Sequence, residues 1–539
     1  MKDLWFHHAI IYSLDVESFK DSNNDGIGDF EGLVSQLDHL SGLGVNCIWL
    51  RPCFPSPLVD DGYDIKDYYS IDHRLGNLGD FADLVVKAKA LGMRILIDLV
   101  VNHTSNKHQW FLKSRSEKDS KFRDYYIWKE KLTKKDKSHE NMIGEESIWT
   151  YDKEAKAYYM HHFLKEQPDL NIANPEVREE IKKIMGFWLQ LGVSGFRIDA
   201  AHVLVHKTKE EIYEMLNEMR EFLTIRNHEA VLIAEADVDI DKLQDFFGHS
   251  NGNKRMHLLF NFFTNKSMFL SLVRQTAEPL ISVLKKIQPL EGEWVNFLRT
   301  HDELNLERLS EDEREEVFQE LAPEENMRIF NRGIRRRLAP MLKNDRKRIE
   351  LLYTTMFSLP GLPLINYGEE IGMGEDLSEE GRNSIRTVMQ WDNNINSGFS
   401  LASPDKLAHP VIDYGDYDYH KVNVSIQQKD PDSLLNWIER LISKRRYSPQ
   451  LSFGKWFILD NDVESVLSFY YKWKYDLVII FLNFSEKDCM VHLSETDEKF
   501  ENLTEIFSNN SYEEKIDHLN KGVKLSAYGY RWFRGTFYE

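Results

Sequence analysis

The sequence predicts an α/β fold: a (β/α)8 barrel with a domain inserted after the third strand and an antiparallel β domain at the C-terminal end. Short apolar runs end in charged or amide side chains, as parallel strands do at the carboxyl end of a barrel. Asp199 and Glu235 are 36 residues apart, about one strand-plus-helix unit, and Asp302 follows after 67, about two units. Beyond about residue 448 the apolar residues form short alternating runs, which are typical of antiparallel strands.

Eight apolar runs are candidates for the barrel strands. Side chains alternate along a strand, so Arg197 and Asp199 lie on one face of the fourth. The third is apolar throughout, as a parallel strand covered on both faces should be. Apolar residues at helical spacing between the runs predict the surrounding helices. The predicted strands are 10–14, 45–50, 95–101, 195–200, 231–235, 256–260, 297–301 and 363–366.

The same spacing divides the chain into domains. From Asp98 to Asp199 is 101 residues, about three barrel units, so an insertion must lie between the third and fourth strands. A later charged stretch, first rich in Glu and then in Arg, predicts a helical excursion from the barrel. The predicted domains are a barrel (1–103 and 165–447) with its excursion (about 304–344), an inserted domain (104–164) and a C-terminal β-sandwich (448–539).

Composition and charge narrow the class of partner. A net charge of −20 disfavours nucleic acid, whose phosphates need a cationic surface. Three cysteines provide neither a disulfide framework nor metal-ligand spacing. The sequence shows no apolar run as long as a membrane span and no apolar signal region near its start. We therefore expect no membrane contact and a cytoplasmic location, and the sequence leaves a homo-oligomer open.

Three acids lie at the predicted tips of three strands: Asp199, Glu235 and Asp302. Arg197 beside Asp199 is explained either by a structural ion pair or by a functional site, and the other two acids favour the site. In a barrel these tips converge on one mouth. Retaining glycoside chemistry needs a nucleophilic carboxylate kept ionised, here by Arg197, and a carboxylic acid whose pKa is raised by nearby negative charge.

Four motifs in the sequence resemble those of the α-amylase family of glycoside hydrolases. They are DLVVNH (98–103), GFRIDA (195–200), AEA (234–236) and THD (300–302). The resemblance implies a nucleophile at Asp199, an acid/base at Glu235 and a transition-state stabiliser at Asp302. Thr300 departs from the usual asparagine, which affects positioning and not the chemistry. The resemblance also implies sugar-binding roles for Tyr63, Asp64, His103, Arg197 and His301.

Further segments narrow the resemblance to the trehalose synthase branch, whose members interconvert maltose and trehalose. These segments are QPDLN (167–171), GIRRRLAPML with NDRKRIELL (333–352), YGEEIGMG (367–374) and RTVMQW (386–391). The resemblance implies that Arg386 and Asp64 close the non-reducing end of the pocket. It also implies that Phe163 forms an aromatic wall at the reacting bond.

These observations lead us to expect an enzyme that takes a glucosyl unit from a small α-linked disaccharide onto Asp199 and returns it to a sugar acceptor. Isomerisation of maltose to trehalose is the kind of reaction that we expect. Segments 104–164 and 304–344 are candidates for a lid that excludes water. An α-glucosidase with transfer as a side reaction is the alternative, and the acids present disfavour a non-catalytic scaffold. No organic cofactor is expected.

The loop after the first strand alternates oxygen-bearing side chains and contains a glycine for the turn. This pattern is compatible with a calcium site and equally with an Asx-rich turn that caps the next helix. It is not an EF-hand, because Gly32 stands where a bidentate glutamate is needed. The α-amylase family often carries a cation in this loop, so the resemblance favours a structural Ca²⁺. The candidate ligands are Asp21, Asn23, Asp25, Asp29 and the carbonyl of Ile27.

Overall fold

A closed barrel of eight parallel strands forms the centre of the part of the chain that the structure describes. The computed structural model describes residues 5–134, 136, 147–204, 209–248, 252, 254–494, 500–512, 519 and 522–537. The barrel strands, named in chain order, are β1 Ile11–Leu14, β2 Cys47–Leu50, β3 Arg94–Leu99, β4 Gly195–Ile198, β5 Val231–Ala234, β6 Leu258–Phe260, β7 Glu293–Phe297 and β8 Leu362–Asn366. Ile11 pairs with both Cys47 and Leu364, which closes the barrel and confirms the predicted fold class.

Each barrel strand separates two apolar layers. Leu96 of β3 packs inside the barrel in a cluster that includes Trp49. Ile95 and Ile97 lie in the larger cluster that joins the strands to the helices. Asp98 follows Leu96 by two residues and therefore lies on the interior side, near the carboxyl end of its strand. The same alternation brings the charged strand-end residues to the barrel mouth.

Helices with clear start signals cover the outside of the barrel. Asn77 and Asp80 form a capping box at Leu78–Ala90, and Asn174 caps Pro175–Gln190 with the proline in its first turn. No helix in the described ranges is both long and apolar enough to cross a membrane. The other barrel helices are Phe30–Ser35, Leu37–Leu43, Lys209–Arg226, Leu243–Phe247, Phe262–Arg274, Glu278–Ile287, Arg346–Ser358 and Leu434–Arg446.

The segment between β3 and the helix Pro175–Gln190 forms a small unit beside the barrel mouth. It contains the helix Gln109–Ser116 and an antiparallel sheet in which Ala157–Met160 lies between Trp128–Lys129 and Trp149–Asp152. Residues 135 and 137–146 of the predicted inserted domain lie outside the described residues.

The excursion after β7, predicted to be helical, contains both helices and short strands. It contains one helix of three turns, Glu311–Leu321, and a small antiparallel sheet in which Gly333–Ile334 pairs with Leu304–Asn305 and Arg328–Ile329. Phe330 and Asn331 have left-handed backbone angles, with φ of 54° at each, and they make the tight turn between two of these strands. A charged composition alone did not reveal this turn.

The described residues from Lys455 onwards form two antiparallel sheets. The order of the larger sheet is Lys455–Leu459, Val466–Trp473, Asp476–Asn483, Tyr530–Phe537 and Phe500–Ser508. Its two faces bury different clusters: Ile479 packs towards the smaller sheet, formed by Cys489–Val491 and Val523–Leu525, whereas Ile480 belongs to the main core. The hydroxyl of Tyr471 donates to the carbonyl of Ser358 on a barrel helix at 2.8 Å, which ties the sheet to the barrel.

Candidate active site

A cavity of about 760 Å³ opens at the carboxyl ends of the barrel strands. The three acids at the predicted strand tips, Asp199, Glu235 and Asp302, all line it. Barrel enzymes hold their reacting groups at this face. The acids are therefore close in space although they are far apart in the chain.

The guanidinium of Arg197 joins the acids of the cavity. Its Nη1 lies 2.6 Å from Asp98 Oδ1 and 2.6 Å from Asp199 Oδ1. Its Nη2 lies 2.6 Å from Glu235 Oε2. The side chain of Arg197 is 4% exposed, so water screens these contacts little. One cation thus contacts three carboxylates, and two of them, Asp199 and Glu235, face the same cavity.

The local backbone of segment 195–200 explains this geometry. A Cβ at Gly195 would lie 2.4 Å from the carbonyl oxygen of Val231 on the neighbouring strand, so the close approach of β4 and β5 requires glycine. Ala200, just beyond β4, has a left-handed backbone with φ of 43°, which is uncommon for a residue with a side chain. In that conformation its N–H donates to Glu235 Oε2 at 3.1 Å. The turn therefore positions the glutamate as well as ending the strand.

Burial dominates the protonation of the central acids. It is the largest cause that raises the pKa of Glu235; Arg197 opposes the rise, and the carboxylates of Asp199 and Asp302 add to it. Burial also raises the pKa of Asp199, again against the attraction of Arg197. It raises the pKa of Asp98 to about 7. The sequence had indicated only the neighbouring charges, because the depth of burial depends on the packed fold.

Asp302 differs from these acids because three cationic or polar groups surround it. Burial would raise its pKa, but the guanidinium of Arg382 holds it well below the ordinary value, with smaller effects from His301 and Arg386. Arg382 Nη1 lies 2.9 Å and Arg386 Nη2 3.5 Å from Asp302 Oδ1. Arg386 also forms an ion pair with Asp61. The contacts from Asp61 through Arg386 to Asp302 close this part of the cavity, which we call the Asp61 end.

Neutral aromatic and imidazole side chains line the cavity beside the acids. The Tyr63 hydroxyl lies 2.7 Å from His301 Nε2, and the two rings are parallel with centroids 5.7 Å apart. His103 Nε2 lies 3.1 Å from Gln167 Nε2, and the ring of Phe163 is 5.2 Å from the His103 ring. Burial lowers the pKa of both histidines, so they are neutral at neutral pH.

The structure does not place Asp64 in the cavity, which corrects the prediction for this residue. Its side chain is fully buried, and its carboxylate accepts hydrogen bonds from the Ser56 hydroxyl and from two backbone N–H groups. Arg386, its predicted partner, pairs with Asp61 instead. The backbone of Asp61 is left-handed, with φ of 51°, so the loop is not extended. Spacing along the sequence therefore could not show which acid faces the cavity.

Among the residues of the site that the sequence analysis missed are Asp61, Asp98 and Arg382. Asp98 had a usable signal, because a carboxylate inside an apolar strand needs a buried partner. Asp61 and Arg382 lie in loops, where no periodicity indicates the direction of a side chain. Only the packed structure shows that both belong to the Asp61 end.

The loop 21–29 does not line the cavity and forms an Asx-rich turn. The side-chain oxygens of Asp21, Asn23 and Asp25 each accept a hydrogen bond from the backbone N–H two residues ahead, at 3.0, 2.9 and 2.9 Å. Asp29 accepts from the Gly32 N–H and caps the next helix. Among the described residues, no group of three or more His, Cys, Asp or Glu side chains is arranged to hold a metal ion. Each carboxylate oxygen of Asp21 and Asp29 already accepts two hydrogen bonds. Calcium binding at this loop stays a prediction.

Chemistry at a glycosidic bond requires a pair of carboxyl groups beside that bond, and Asp199 and Glu235, which share Arg197, are such a pair at the barrel mouth. The fold and this cavity define the class of the protein as an enzyme acting on glycosidic bonds. Residues 11–454 match the family model of the alpha-amylase catalytic domain, and the chain belongs to the alpha-amylase family.

The known proteins that are similar to this chain agree with this family assignment. The chain is 39% identical to the trehalose synthase/amylase TreS of Mycolicibacterium smegmatis, over 86% of this chain and 80% of that protein. It is 29% identical to the oligo-1,6-glucosidase of Parageobacillus thermoglucosidasius, over 90% and 92%. The crystal structure of the trehalulose synthase MutB from Pseudomonas mesoacidophila MX-45 superposes with a TM-score of 0.80 at 25% identity and covers 99% of both chains.

Proposed function

We propose that the protein transfers a glucosyl unit from an α-disaccharide of the maltose type to a sugar acceptor and so forms an isomerised α-glucoside such as trehalose. The reaction runs through a covalent ester between the glucosyl C1 and Asp199. The observation that carries the proposal is that Arg197 lies 2.6 Å from both Asp199 and Glu235, which sets a nucleophile and an acid at one site. The similarity to a trehalose synthase supports the choice of product.

The two acids divide the chemistry between them. In the first step Asp199 bonds to C1, the bond from C1 to the bridging oxygen breaks, and Glu235 gives its proton to that oxygen. Its raised pKa supports this acid role near neutral pH. In the second step the Glu235 carboxylate takes the proton of an acceptor hydroxyl. The hydroxyl oxygen then bonds to C1, and the Asp199 carboxylate leaves.

The Asp61 end would hold the glucosyl unit that is transferred. Asp302, which stays ionised, would bind hydroxyl groups of that glucose, and such contacts strengthen as the ring flattens in the transition state. The ion pair of Asp61 and Arg386 closes the cavity behind the sugar, which supports a substrate with one glucose unit on this side. The neutral side chains that would complete this subsite are Tyr63, His103, Phe163 and His301.

Transfer and hydrolysis differ only in what attacks the covalent intermediate. Transfer requires that water is excluded and that the released sugar stays in the cavity. A hydrolase of short α-glucosides with transfer as a side activity is the second candidate, and the similarity to an oligo-1,6-glucosidase favours it to a smaller degree. A small α-linked sugar is the substrate in both cases. A cytoplasmic location, a homo-oligomer and a structural Ca²⁺ stay predictions.

The test is incubation of the purified protein with maltose, trehalose and sucrose separately, with the products followed by NMR. We expect maltose to yield trehalose and trehalose to yield maltose, with glucose as a minor product. The Asp199→Ala and Glu235→Gln variants should lose activity by about 10³-fold or more while they unfold at the temperature of the wild type. Glucose as the sole product from every substrate would overturn the isomerisation. Full activity of Asp199→Ala would overturn the site itself.

A further inference from the structure

A buried arginine lies behind the Asp61 end and takes no part in the bond changes described above. Arg51 is the first residue beyond β2, and Asp15 and Tyr367 are the first residues beyond the neighbouring strands β1 and β8. Arg51 is 4% exposed. Its Nη2 lies 3.2 Å from Asp15 Oδ2, and its Cζ lies 5.7 Å from the centroid of the Tyr367 ring. These three side chains therefore pack together at the barrel mouth.

The hydrogen bonds of Arg51 do not explain why it is buried. Among the described residues, none accepts a hydrogen bond from its Nε or its Nη2. Arg445 is equally buried, but it donates to the backbone carbonyls of Phe357 and Gly361 and so ties two segments of backbone together. Arg51 makes no such tie through these atoms. It acts on its surroundings mainly through its charge, which a protein interior screens little.

The turn that carries Asp61 packs against the residue that follows Arg51. Gly62, next to Asp61, has a left-handed backbone with φ of 94°. A Cβ at Gly62 would lie 3.0 Å from the carbonyl oxygen of Pro52, so the two segments are in direct contact. The charge of Arg51 is therefore close to the Asp61 carboxylate.

The protonation of Asp61 reflects this charge. Burial would raise the pKa of Asp61, but Arg386 holds it below its ordinary value, with smaller effects from His409 and Arg51. In the described part of the chain, only Arg386 donates a hydrogen bond to the Asp61 carboxylate. The position of this carboxylate therefore depends on the charges around it and not on a set of hydrogen bonds to the backbone.

The position of Arg386, in contrast, is fixed by its neighbours in the chain. The Tyr367 hydroxyl donates to the carbonyl of Thr387 at 2.8 Å, and the Val388 N–H donates to the carbonyl of Pro410 at 3.2 Å. The segment 386–388 is thus held between the end of β8 and residue 410. Asp61 is the partner of this ion pair that needs to be held in place.

We propose that Arg51 is a positioning residue of the Asp61 end: its charge keeps the Asp61 carboxylate against Arg386, so that the cavity stays closed behind the transferred glucosyl unit. The inference rests on the proposed function, because the Asp61 end holds that unit. Arg51 does not line the cavity, so it acts through Asp61. Its loss should weaken binding of the glucosyl unit in the substrate and in the transition state alike, which raises KM and changes kcat little.

The inference can be tested with p-nitrophenyl α-D-glucoside, whose p-nitrophenol is released when the glucosyl unit loads Asp199. We expect Arg51→Gln to raise KM about fivefold, with a change in kcat of less than about twofold. Arg51→Lys keeps a positive charge, and Arg51 makes no two-pronged contact that lysine would lose. It should therefore keep KM within about twofold of the wild type.

A double-mutant cycle shows whether Arg51 acts through Asp61. Asp61→Asn should raise KM about tenfold, as its loss weakens the same ion pair. Once Asp61 is neutral, the charge of Arg51 has nothing left to hold. The double variant Arg51→Gln/Asp61→Asn should therefore show a KM about tenfold above the wild type, and not the about fiftyfold rise of two independent effects.

Arg445→Gln is the matched control, because Arg445 is as buried as Arg51 but contacts the backbone before the start of β8, at the opposite end of the barrel. It should lower the melting temperature and leave KM unchanged. Arg51→Gln leaves Asp15 without its partner, which can itself destabilise the fold. If that variant is unstable, Arg51→Gln/Asp15→Asn tests the inference: it removes both charges, and asparagine can still cap the helix that Asp15 caps.

Three results would overturn the inference: a wild-type KM in the folded variant that lacks the Arg51 charge, an about fiftyfold rise in the double variant with Asp61→Asn, or an equal rise in Arg51→Lys or Arg445→Gln. The proposed function fails separately, because wild-type protein that forms only glucose from maltose disproves isomerisation. In that case the p-nitrophenyl donor still reports on Arg51, since its release does not depend on whether water or a sugar accepts the glucosyl unit.

Discussion

Asp98 and Arg197 face each other on the neighbouring strands β3 and β4, with 2.6 Å between Asp98 Oδ1 and Arg197 Nη1. The Asp98 side chain is fully buried, and burial raises its pKa to about 7 although Arg197 opposes the rise. The same guanidinium contacts Asp199 and Glu235. The charge on Asp98 therefore sets how much positive charge the other two carboxylates experience.

This relationship predicts a pH dependence of stability. The pKa of Asp98 in the folded protein lies above its ordinary value of 3.8, so the folded state favours the protonated form. The protonated carboxyl group of Asp98 makes its full contribution to stability below pH 3.8. This contribution is lost as the pH rises through the folded-state pKa of about 7. Asparagine does not titrate, so Asp98→Asn should lose less stability than the wild type over this range. Calorimetric melting temperatures from pH 4 to pH 8 measure the difference.

Asp83→Asn is the control for that experiment. Asp83 is a surface acid, 52% exposed and paired with Lys87, so its replacement should leave the pH dependence of the wild type unchanged. Parallel melting curves of wild type and Asp98→Asn across the whole range would contradict the assignment of the pH dependence to Asp98.

Replacement of Arg197 by lysine should reduce kcat/KM for maltose by about 10²- to 10³-fold. A guanidinium contacts three carboxylates at once, whereas a lysine ammonium is a single point charge that cannot span them. Steady-state kinetics with maltose measure the loss. Arg94→Lys serves as a control, because Arg94 pairs with Glu229 at the opposite end of the barrel and is 35% exposed. Comparable losses in both variants would show a general effect on the fold.

Asp61 and Asp64 should respond differently to the same substitution. Asp61→Asn weakens the ion pair with Arg386 that closes the Asp61 end, so KM for maltose should rise about tenfold with a smaller change in kcat. Asp64→Asn should leave KM near the wild-type value and lower the melting temperature, because Asp64 accepts hydrogen bonds inside the protein. A larger rise of KM in Asp64→Asn than in Asp61→Asn would reverse this assignment.

The barrel was predictable because its signals are local. The sequence predicted a strand at 95–101, and the structure has it at Arg94–Leu99. Residues two apart in a strand share a face, so the alternation along β4 and β5 was enough to predict that Arg197, Asp199 and Glu235 point into the same barrel mouth. An apolar run with a charged end is thus a reliable signal when the strand is covered on both sides.

The loops were not predictable to the same degree, because their directions depend on contacts between distant residues. Arg386 and Asp61 are 325 residues apart, and no local pattern connects them. The left-handed backbone at Asp61, a residue with a Cβ, is selected by such packing and not by local preference. For the same reason the seventh strand, predicted to reach residue 301, ends at Phe297, and Arg299 beyond it donates to the carbonyl of Arg336.

Calcium binding at the loop 21–29 predicts a metal-dependent melting temperature. We expect Ca²⁺ to raise the melting temperature of the wild type by a few degrees relative to EGTA, because a bound cation stabilises the folded state that binds it. Asp25→Ala should abolish that increase, since Asp25 supplies one of the candidate oxygens and is exposed, so its loss should change little in EGTA. Equal melting temperatures of the wild type in Ca²⁺ and EGTA would leave the Asx turn as the sole role of the loop.

Gly195→Ala should destabilise the barrel at the start of β4, the strand that leads to Arg197 and Asp199. The new Cβ would lie 2.4 Å from the carbonyl oxygen and 2.9 Å from the backbone nitrogen of Val231, and a barrel strand has little freedom to move away. We expect a loss of about 1–3 kcal/mol in the free energy of unfolding by urea, the usual cost of inserting atoms into a packed interior.

Gly42→Ala should have the opposite effect on the free energy of unfolding by urea. Gly42 lies in the helix Leu37–Leu43, and a Cβ there would have no atom within 4 Å apart from its chain neighbours and the backbone of its own helix. Alanine should therefore stabilise the protein by about 0.5–1 kcal/mol through its helix propensity. If Gly195→Ala proved as stable as Gly42→Ala, the close approach of β4 and β5 would not be what requires glycine there. Because Arg197 and Asp199 follow on the same strand, the displaced backbone should also lower kcat for maltose.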